Sequence, residues 1–474
     1  RRPQSPLQAD VGKFRTEGWQ PLGLWMASGK FEYARRAERG VNWSGVADAY
    51  AGTPYIWADT VGGDWSADET KLAASVGTPE WLEKIAFGAE VNYAVSQGSR
   101  QNDPRPFYRR RDVGVAPAVT IRLAAAHRIG SSVMLGWTQE DGEMGYFTTA
   151  TDFILYRLRG LSTFDRGATN SSDRRTTGRS LVWSAQYSGN SDSGDSDGRE
   201  VRGDRSRVAM WQWAVSGNLS AERADTYDGI SIPQFAGRFV RNGFGATARV
   251  RYAEPASSAA GNHIEMSLAF KETDGRGAED FSSDMQSTLE PDFLATNVID
   301  KSRQVSARLE WWQANSKGES SKVQSPLWVS GEIIFVDLSR KDIVGETAWQ
   351  ATTTSAALRI SSSLGTSSGT GQAWGVPIFL SAYVGTTVPV QSGYEEAMPT
   401  RFSDILVRPD LAVNAARQVR AGIMLAAEVP LAVAGLSLMR IVVNTDIAHS
   451  SDRFADGSAI GQRTAAGIRL EVIY

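Results

Sequence analysis

Apolar and polar residues alternate with a period of two along most of this sequence. The clearest stretch is 84–96, where Ile, Phe, Ala, Val, Tyr and Val occupy the odd positions and Gly, Glu, Asn and Ser lie between them. The same alternation recurs at 244–252, 264–271, 304–311 and 418–429. Successive residues of a β-strand point to opposite faces, whereas a helix repeats about every 3.6 residues. The pattern therefore predicts an all-β protein.

The candidate strands are longer than those of ordinary soluble proteins. Many run for about 10 to 14 residues, against about 5 or 6 in a soluble sheet. Trp and Tyr gather near their ends, as at Trp25, Trp81, Trp137 and Trp311, which is typical of membrane interfaces. A soluble β-sandwich also alternates, but these two features favour a transmembrane antiparallel up-and-down β-barrel. Counting strands in this way gives about 14 to 16, an even number as in single-chain bacterial barrels.

The links between candidate strands alternate between short and long. Short links lie at 78–80, 128–130 and 430–435, and long polar links at 39–67, 98–113, 140–178, 272–301 and 387–416. Outer-membrane barrels have short turns on the periplasmic side and long loops outside. We therefore expect short periplasmic turns and long extracellular loops.

The two ends of the chain suggest how the barrel is bounded. Residues 466–474 alternate up to Tyr474, and a terminal aromatic residue resembles the assembly signal read by the outer-membrane insertion machinery. We expect residues 24–474 to form the barrel and residues 1–23 to form a periplasmic or plug segment. Because the sequence starts without Met, we interpret it as a mature or processed product.

Composition excludes several kinds of chemistry. The chain has no cysteine, so disulfides, thiolate metal sites and cysteine nucleophiles are excluded. Its three histidines, His127, His263 and His449, are far apart in sequence, which argues against a histidine-rich metal site. A net charge of -3 gives no sign of a nucleic-acid partner. A hydrophobic content of 41% suffices for a barrel, because only every second strand residue faces lipid.

One polar stretch carries two motifs with recognisable chemistry. Residues 194–198 match the hydrolase pattern G-x-S-x-G, but they lack the flanking strand and helix that this motif requires. We therefore expect a chance match, and a non-enzymatic protein without a cofactor. The same stretch is a weak calcium candidate, with a solvated acidic loop as the alternative. Its potential ligands are Asp192, Asp195, Asp197 and Glu200.

The first quarter of the chain resembles a known family. The resemblance rests on Gly29-Lys-Phe-Glu-Tyr-Ala-Arg-Arg, on Val41-Asn-Trp, on the segment from Tyr55 to Asp64, and on Asp103-Pro-Arg-Pro. Over residues 24–112 the sequence is similar to an uncharacterised family of outer-membrane β-barrels, known only as a domain of unknown function. The resemblance implies an outer-membrane location. Genes of this family often lie near those of TonB-dependent receptors, which implies a role in nutrient or metal uptake and no assigned catalytic residue.

The segment from residue 42 to residue 64 is expected to form the first extracellular loop. Gly62-Gly63 permits positive φ in a tight turn, and Asp59 and Asp64 either cap that turn or bind a cation. Arg105 lies between two prolines on a stiff segment that can fold over or into the mouth of the barrel. The loop candidates are Asn42, Asp59, Asp64, Asp103 and Arg105.

The polar face of the predicted strands lines the interior of the barrel. The candidate cations of the lumen are Arg122, Arg249, Arg251, Lys271, Arg308, Arg420, Arg440 and Arg469. The candidate anions are Glu90, Glu265, Glu310, Glu428 and Glu471. Mixed charge of this kind lines an aqueous, porin-like channel, or braces a plugged interior through cross-strand ion pairs.

These observations favour a barrel that acts in uptake, as a channel or as the membrane partner of a TonB-dependent receptor. The alternative is a plugged structural barrel whose loops bind surface proteins or lipopolysaccharide. An outer-membrane enzyme would need a nucleophile, a base and an acid clustered together, and no such set is recognisable. The expected partners are outer-membrane lipid, lipopolysaccharide and other outer-membrane subunits, and no nucleic acid.

Overall fold

The computed structural model describes residues 2–51, 53–146, 152–169, 171–191, 210–229, 233–254, 262–280, 294–313, 327–364, 378–430, 438–454 and 459–473. Seventeen strands form one large sheet. These wall strands are β1 (Gln8–Leu22), β2 (Trp25–Val41), β4 (Gly63–Gly77), β5 (Ile85–Arg100), β6 (Phe107–Ala124), β7 (His127–Gly145), β10 (Ser171–Asn190), β11 (Met210–Asp228), β12 (Gln234–Ala253), β13 (Asn262–Asp280), β14 (Leu294–Gln313), β15 (Leu327–Asp342), β16 (Thr347–Leu364), β17 (Ile378–Glu396), β18 (Gln418–Pro430), β19 (Leu438–Arg453) and β20 (Ala459–Ile473).

The large sheet is a nearly closed, all-β barrel, as the alternation of the sequence predicts. Each wall strand pairs antiparallel with the next one along the chain. The circuit closes where Lys13–Glu17 of β1 pairs in parallel with Arg469–Ile473 of β20. An odd number of strands that alternate in direction must contain one such parallel pair. The predicted count of about 14 to 16 strands was therefore wrong, because the sheet has 17.

Residues 8–22 account for part of this difference. They were predicted to belong to a periplasmic or plug segment, yet they form β1 and pair with β2 over their whole length. The alternation is weak in this stretch, where Gly12, Gly18 and Pro21 interrupt it. Of the described residues in the segment 1–23, residues 2–7 and residue 23 lie outside the wall strands.

Parts of the predicted long links belong to the wall strands. The stretches 140–178 and 272–301 begin or end with residues of β7, β10, β13 and β14, because these strands continue well beyond their apolar portion. At the opposite end of the barrel, residues 192–209, 314–326 and 365–377 lie outside the described residues.

A second, small sheet and a short helix lie inside one end of the barrel. The small sheet contains β3 (Ile56–Ala58), β8 (Phe153–Leu158) and β9 (Phe164–Thr169). A π-helical turn at Ser403–Val407 continues into α1 (Arg408–Asn414). Among the described residues, no helix is both long enough and apolar enough to cross a membrane.

The two faces of the wall differ in chemistry. Residues that face each other across a strand pair share one face, and the face that contacts the small sheet is the inner one. Large exposed apolar side chains follow the other face from strand to strand. They include Phe87, Val91, Leu135, Trp183, Leu219, Phe244, Leu268, Ile333, Leu358, Val384 and Ile423. We call this surface the outer apolar band.

Candidate functional site: an internal plug

Three links between wall strands fold into the same end of the barrel. We define the plug as the described parts of residues 42–62, 152–169 and 397–417. Its centre is aromatic, with Trp43, Tyr156 and Phe164 packed around Phe402 at centroid distances of 4.5–5.3 Å from Phe402. Phe402 is completely buried. The buried core of this protein thus lies inside the barrel and not between two sheets.

Tyr55 reaches from the plug to the far wall. Its hydroxyl donates to the carbonyl of Ala278 at 2.8 Å and lies 3.2 Å from Oδ1 of Asn297. Gly237 makes room for it, since a Cβ at this position would overlap the Tyr55 ring. Tyr55 starts from the link after β2 and contacts β12, β13 and β14. The segment therefore crosses the lumen.

Trp57 makes a second contact with the far wall. Its Nε1 donates to Asp228 of β11 at 3.1 Å, and the Arg174 guanidinium lies 4.8 Å from the centre of its ring. Asp228 also pairs with Arg174 at 2.7 Å and with Arg157 of β8 at 3.1 Å. One wall carboxylate thus binds two plug side chains.

Asp59 fastens the same segment to the near wall. Its Oδ2 lies 2.9 Å from a guanidinium nitrogen of Arg100, in ion-pair contact but without hydrogen-bond alignment. The side chains are 2% and 0% exposed. Oδ1 of Asp59 accepts the backbone N–H groups of Val61 and Gly62. Of the two predicted roles for Asp59, turn capping is the one seen here.

The other loop candidates lie close to this anchor. Asp64 accepts the backbone N–H of Gly40 at 2.9 Å, and Asp103 pairs with Arg105 at 2.9 Å. Asn42 packs against Gly62, whose φ of 65° is in the left-handed region. All five candidates therefore stabilise the turns where β2, β4, β5 and β6 meet the plug.

Asp342 anchors the small sheet to the wall at the end of β15. It is completely buried, and it accepts the backbone N–H groups of Leu161, Ser162, Thr163 and Gly345 at 2.8–3.1 Å. Convergent N–H groups stabilise a buried carboxylate without a cationic partner. Sequence reasoning missed this residue, because a lone aspartate at a strand end is a common turn residue.

Glu279 and Asn297 form a polar contact between the plug and strands β13 and β14. The amide of Asn297 donates to Glu279 at 2.9 Å, and Arg159 of the plug lies 3.4 Å from the other carboxylate oxygen. Burial, partly opposed by Arg159, raises the pKa of the Glu279 carboxyl to about 7. Glu279 lies well beyond Phe270, the last outward apolar residue of β13, and so outside the apolar band.

Residues 2–6 complete the plug. Arg2 pairs with Asp410 of α1 at 2.5 Å and stacks on Tyr50, with its guanidinium carbon 3.5 Å from the ring centre. Gln4 donates to the Tyr50 hydroxyl and to the carbonyl of Trp43. Burial raises the pKa of Tyr50 to about 12. The start of the described chain thus ties two plug segments together.

A polar chamber of about 650 Å³ remains between the plug and strands β2, β4, β5 and β6. It is lined by three ion pairs. In each pair the two residues lie on the same strand, separated by one residue. The pairs are Arg36–Glu38, Glu69–Lys71 and Arg110–Asp112, at 3.0–3.9 Å. The plug does not fill this side of the lumen.

Comparison with known proteins identifies the family. The model of a family of unknown function, DUF6850, matches residues 1–474. The chain belongs to the DUF6850 family. This confirms the resemblance expected from residues 24–112 and extends it to the whole sequence. No curated protein matches the chain in sequence.

Two solved structures illustrate how this DUF6850 barrel compares in fold. They are BauA, the ferric preacinetobactin receptor from Acinetobacter baumannii, and FyuA, the ferric yersiniabactin uptake receptor from Yersinia pestis. Each is 8% identical to the chain, with a TM-score of 0.36, over 98% of this chain and 72% of the receptor chain.

The predicted lumen residues lie on the inner face but do not form one site. The strand registers place on this face Glu90, Arg122, Arg249, Arg251, Glu265, Lys271, Arg308, Glu310, Arg420, Glu428 and Arg440. Arg249 pairs with Glu265, Arg308 with Glu310, and Arg440 with Glu428. In the register, Arg469 and Glu471 are opposite Val442 and Arg440. These ion pairs brace separate parts of the wall of the DUF6850 barrel.

The calcium candidates Asp192, Asp195, Asp197 and Glu200 lie outside the described residues. Within the described part of the chain, no three His, Asp or Glu side chains are placed to hold a metal ion. The residues that sequence reasoning missed are the plug anchors. One signal was present, because Trp43, Tyr50, Tyr55 and Trp57 make residues 42–62 too aromatic for a solvated loop.

Proposed function

We propose that this DUF6850 protein is a non-enzymatic integral outer-membrane barrel that acts in uptake, with passage through its lumen controlled by the plug. The observation that carries the proposal is the path of residues 42–62. They leave β2 and contact strands β10 to β14 across the lumen through Tyr55 and Trp57. They then return to the near wall, where Asp59 pairs with Arg100 of β5. Passage then requires this segment to move.

The outer apolar band supports the membrane placement. On β7 it runs from Ile129 to Trp137, and on β12 from Phe244 to Tyr252. A transmembrane β-strand needs about 9–11 residues, which matches these lengths. In water such a continuous exposed apolar surface would be costly, since large patches mark interaction or membrane surfaces. Beyond the band, the outer face carries charged residues such as Asp141, Arg223 and Arg303.

Single-channel conductance tests the proposal. Because the sequence has no cysteine, two introduced cysteines can join the plug to the wall by a disulfide without competing thiols. The side chain of Ser162 lies against the position that a Cβ on Gly345 would occupy, so Ser162→Cys with Gly345→Cys should form a disulfide between plug and wall. We expect wild type to insert into planar bilayers and to open rarely. The oxidised double variant should open less often, and reducing agent should restore the wild-type rate.

Two results would reject the proposal. A steady wild-type conductance that the disulfide does not change would mean an open pore. Failure to insert into bilayers, with the protein stable in detergent-free buffer, would remove the membrane placement. A barrel that inserts but never conducts, even after loss of a plug anchor, would favour the second candidate function.

That second candidate is a permanently plugged barrel that acts as the membrane partner of a TonB-dependent receptor or as a scaffold for surface proteins. The number of polar anchors favours it, because Asp59 pairs with Arg100, Asp228 binds Trp57 and Arg157, and Asp342 accepts three backbone N–H groups of the plug. Purification in mild detergent distinguishes the two: a stoichiometric outer-membrane partner, together with no conductance, supports the scaffold.

A further inference from the structure

A groove on the outside of the barrel combines arginines with the edge of the apolar band. It has a volume of about 620 Å³ and lies on β6, β7, β10 and β11. Its charged lining residues are Arg111, Arg179, Arg223 and Asp225. These odd-numbered positions lie on the face opposite to Arg110, Arg174 and Asp228, which point to the chamber and the plug. The groove therefore faces outward.

The strand registers show where the groove sits relative to the apolar band. Three successive rows cross the four strands. The first row is apolar and contains Val115, Leu135, Leu181 and Ala221. The second contains Val113, Trp137, Arg179 and Arg223. The third is polar and contains Arg111, Gln139, Thr177 and Asp225. The arginines thus begin in the row where the apolar band ends, beside a half-exposed tryptophan.

Among the described residues, one arginine of this groove, Arg179, has no counter-charge. Arg179 is opposite Arg223 across the β10–β11 pair, an arrangement that is unfavourable unless an anion lies between the two side chains. Asp225 pairs with Arg223 at 2.6 Å, and Asp141 lies 3.7 Å from Arg111. Arg179 is exposed, and among the described residues it has no ion pair or hydrogen bond to its side chain.

We propose that this groove, which lies toward the end of the barrel that carries the predicted extracellular links 39–67 and 98–113, binds the phosphate group of a glycolipid in the outer leaflet, a lipid of the lipid A type. The inference rests on the outer-membrane placement proposed above. A phosphate on a membrane lipid is held at the depth where the acyl chains end, which is the depth of Trp137. Arg179 and Arg223 then bind the phosphate with charge-assisted hydrogen bonds. The acyl chains lie along Val113, Val115 and Leu135.

The continuity of the groove with the apolar band favours a lipid over a soluble anion. A free phosphate would make no use of the exposed Val113 and Trp137 side chains, whereas a glycolipid covers both them and the arginines. The groove also differs from a protein-docking surface, because its apolar part is a section of the lipid-facing band and not a separate patch.

Native mass spectrometry of the whole protein, released from bilayers, tests the proposal. The bilayers contain phosphatidylethanolamine with either phosphorylated lipid A or lipid A freed of its phosphates. We expect the phosphorylated form to remain bound at one per barrel and the dephosphorylated form to be retained more than about tenfold less, because it loses the charged hydrogen bonds from both arginines. Arg179→Gln removes the bond from one arginine and should lower retention about tenfold, and Arg179→Lys should lower it less.

Arg303→Gln is the matched control. Arg303 is also an exposed arginine of the outer face, but it pairs with Glu272 at 2.9 Å, so its loss should leave lipid retention unchanged. Equal retention of both lipid A forms, or equal loss in the Arg179 and Arg303 variants, would overturn the proposal. So would competition by inorganic phosphate alone, or a bound acidic protein in place of lipid. If the protein does not enter bilayers at all, the membrane placement fails instead, and the two failures are distinguishable.

Discussion

Removal of the Asp59 carboxylate should release the first plug segment from the near wall. In the native protein, Asp59 lies 2.9 Å from Arg100, and both side chains are almost completely buried. Asp59→Ala leaves the Arg100 guanidinium in the same buried position. Arg100 keeps its hydrogen bonds to the carbonyls of Asn102 and Pro104, but it loses its only counter-charge at that distance among the described residues.

The size of the effect follows from the burial of the pair. Removing one partner of a buried ion pair costs about 3–5 kcal/mol, because the remaining charge is neither paired nor hydrated. Asp59→Ala also removes the caps on Val61 and Gly62. If this cost falls on docking of the plug, the ratio of docked to released segment falls by roughly a hundredfold to several thousandfold.

Hydrogen exchange and conductance measure this release independently. Amides of residues 53–62 should exchange much faster in Asp59→Ala than in wild type, while amides in the middle of β5 should not change. Channel openings should become more frequent in the same variant. Asp59→Asn keeps an acceptor for the turn and removes the charge, so it should have an intermediate effect.

A rescue variant separates charge burial from loss of packing. Asp59→Ala combined with Arg100→Met replaces the pair by apolar groups, a change that is often neutral for buried pairs. It should restore much of the protection of residues 53–62. The control is Glu272→Ala, which breaks an exposed outer pair worth about 0–1 kcal/mol. If exchange in Asp59→Ala stays at the level of this control, Asp59 and Arg100 do not anchor the plug.

Three further predictions concern the remaining anchors. Burial raises the pKa of Glu279 to about 7 from 4.5, so the folded protein holds a proton that the unfolded chain loses between these values. Stability should therefore fall as the pH rises through this window, by about 3 kcal/mol at most, and Glu279→Gln should flatten thermal unfolding between pH 4 and 8. Asp342→Ala should destabilise docking of the small sheet by about 3 kcal/mol or more, measured as faster exchange at residues 161–163; unchanged exchange would contradict this role. Tyr55→Phe should cost about 1–2 kcal/mol, and a protected 53–62 segment in this variant would show that its hydroxyl contributes little.

The wall of the barrel was predictable because the alternation of apolar and polar side chains has the same two-residue period in most of its strands. Along β5, Phe87, Val91 and Tyr93 face outward and Glu90 and Asn92 inward, as the alternation requires. Each strand repeats the same choice between lipid and lumen, so errors in one strand do not affect the next. The strand count was less certain, because β1 contains few apolar residues and depends on its pairing with β2 and β20.

The plug was not predictable for the opposite reason. Its contacts join residues that are far apart in sequence, such as Tyr55 with Asn297 and Ser162 with Asp342. No period relates such positions, and each contact depends on the distance across a lumen whose width is set by all the strands together. The aromatic content of residues 42–62 indicated burial, but the sequence alone did not indicate which wall would receive them.

The odd strand number links the wall to the plug. Because β1 begins beside Arg39 at the plug end and runs parallel to β20, the residues before β1 emerge directly among the plug segments. A sixteen-strand barrel without β1 would place the start of β2 at the opposite end, and Arg2 would have no route to Asp410. The parallel closure thus positions Arg2 and Gln4 to join residues 42–50 to α1. Pairing of β1 with β20 and docking of the plug are therefore coupled through β1. Disrupting the β1–β20 pairing should loosen the plug even with every plug residue intact.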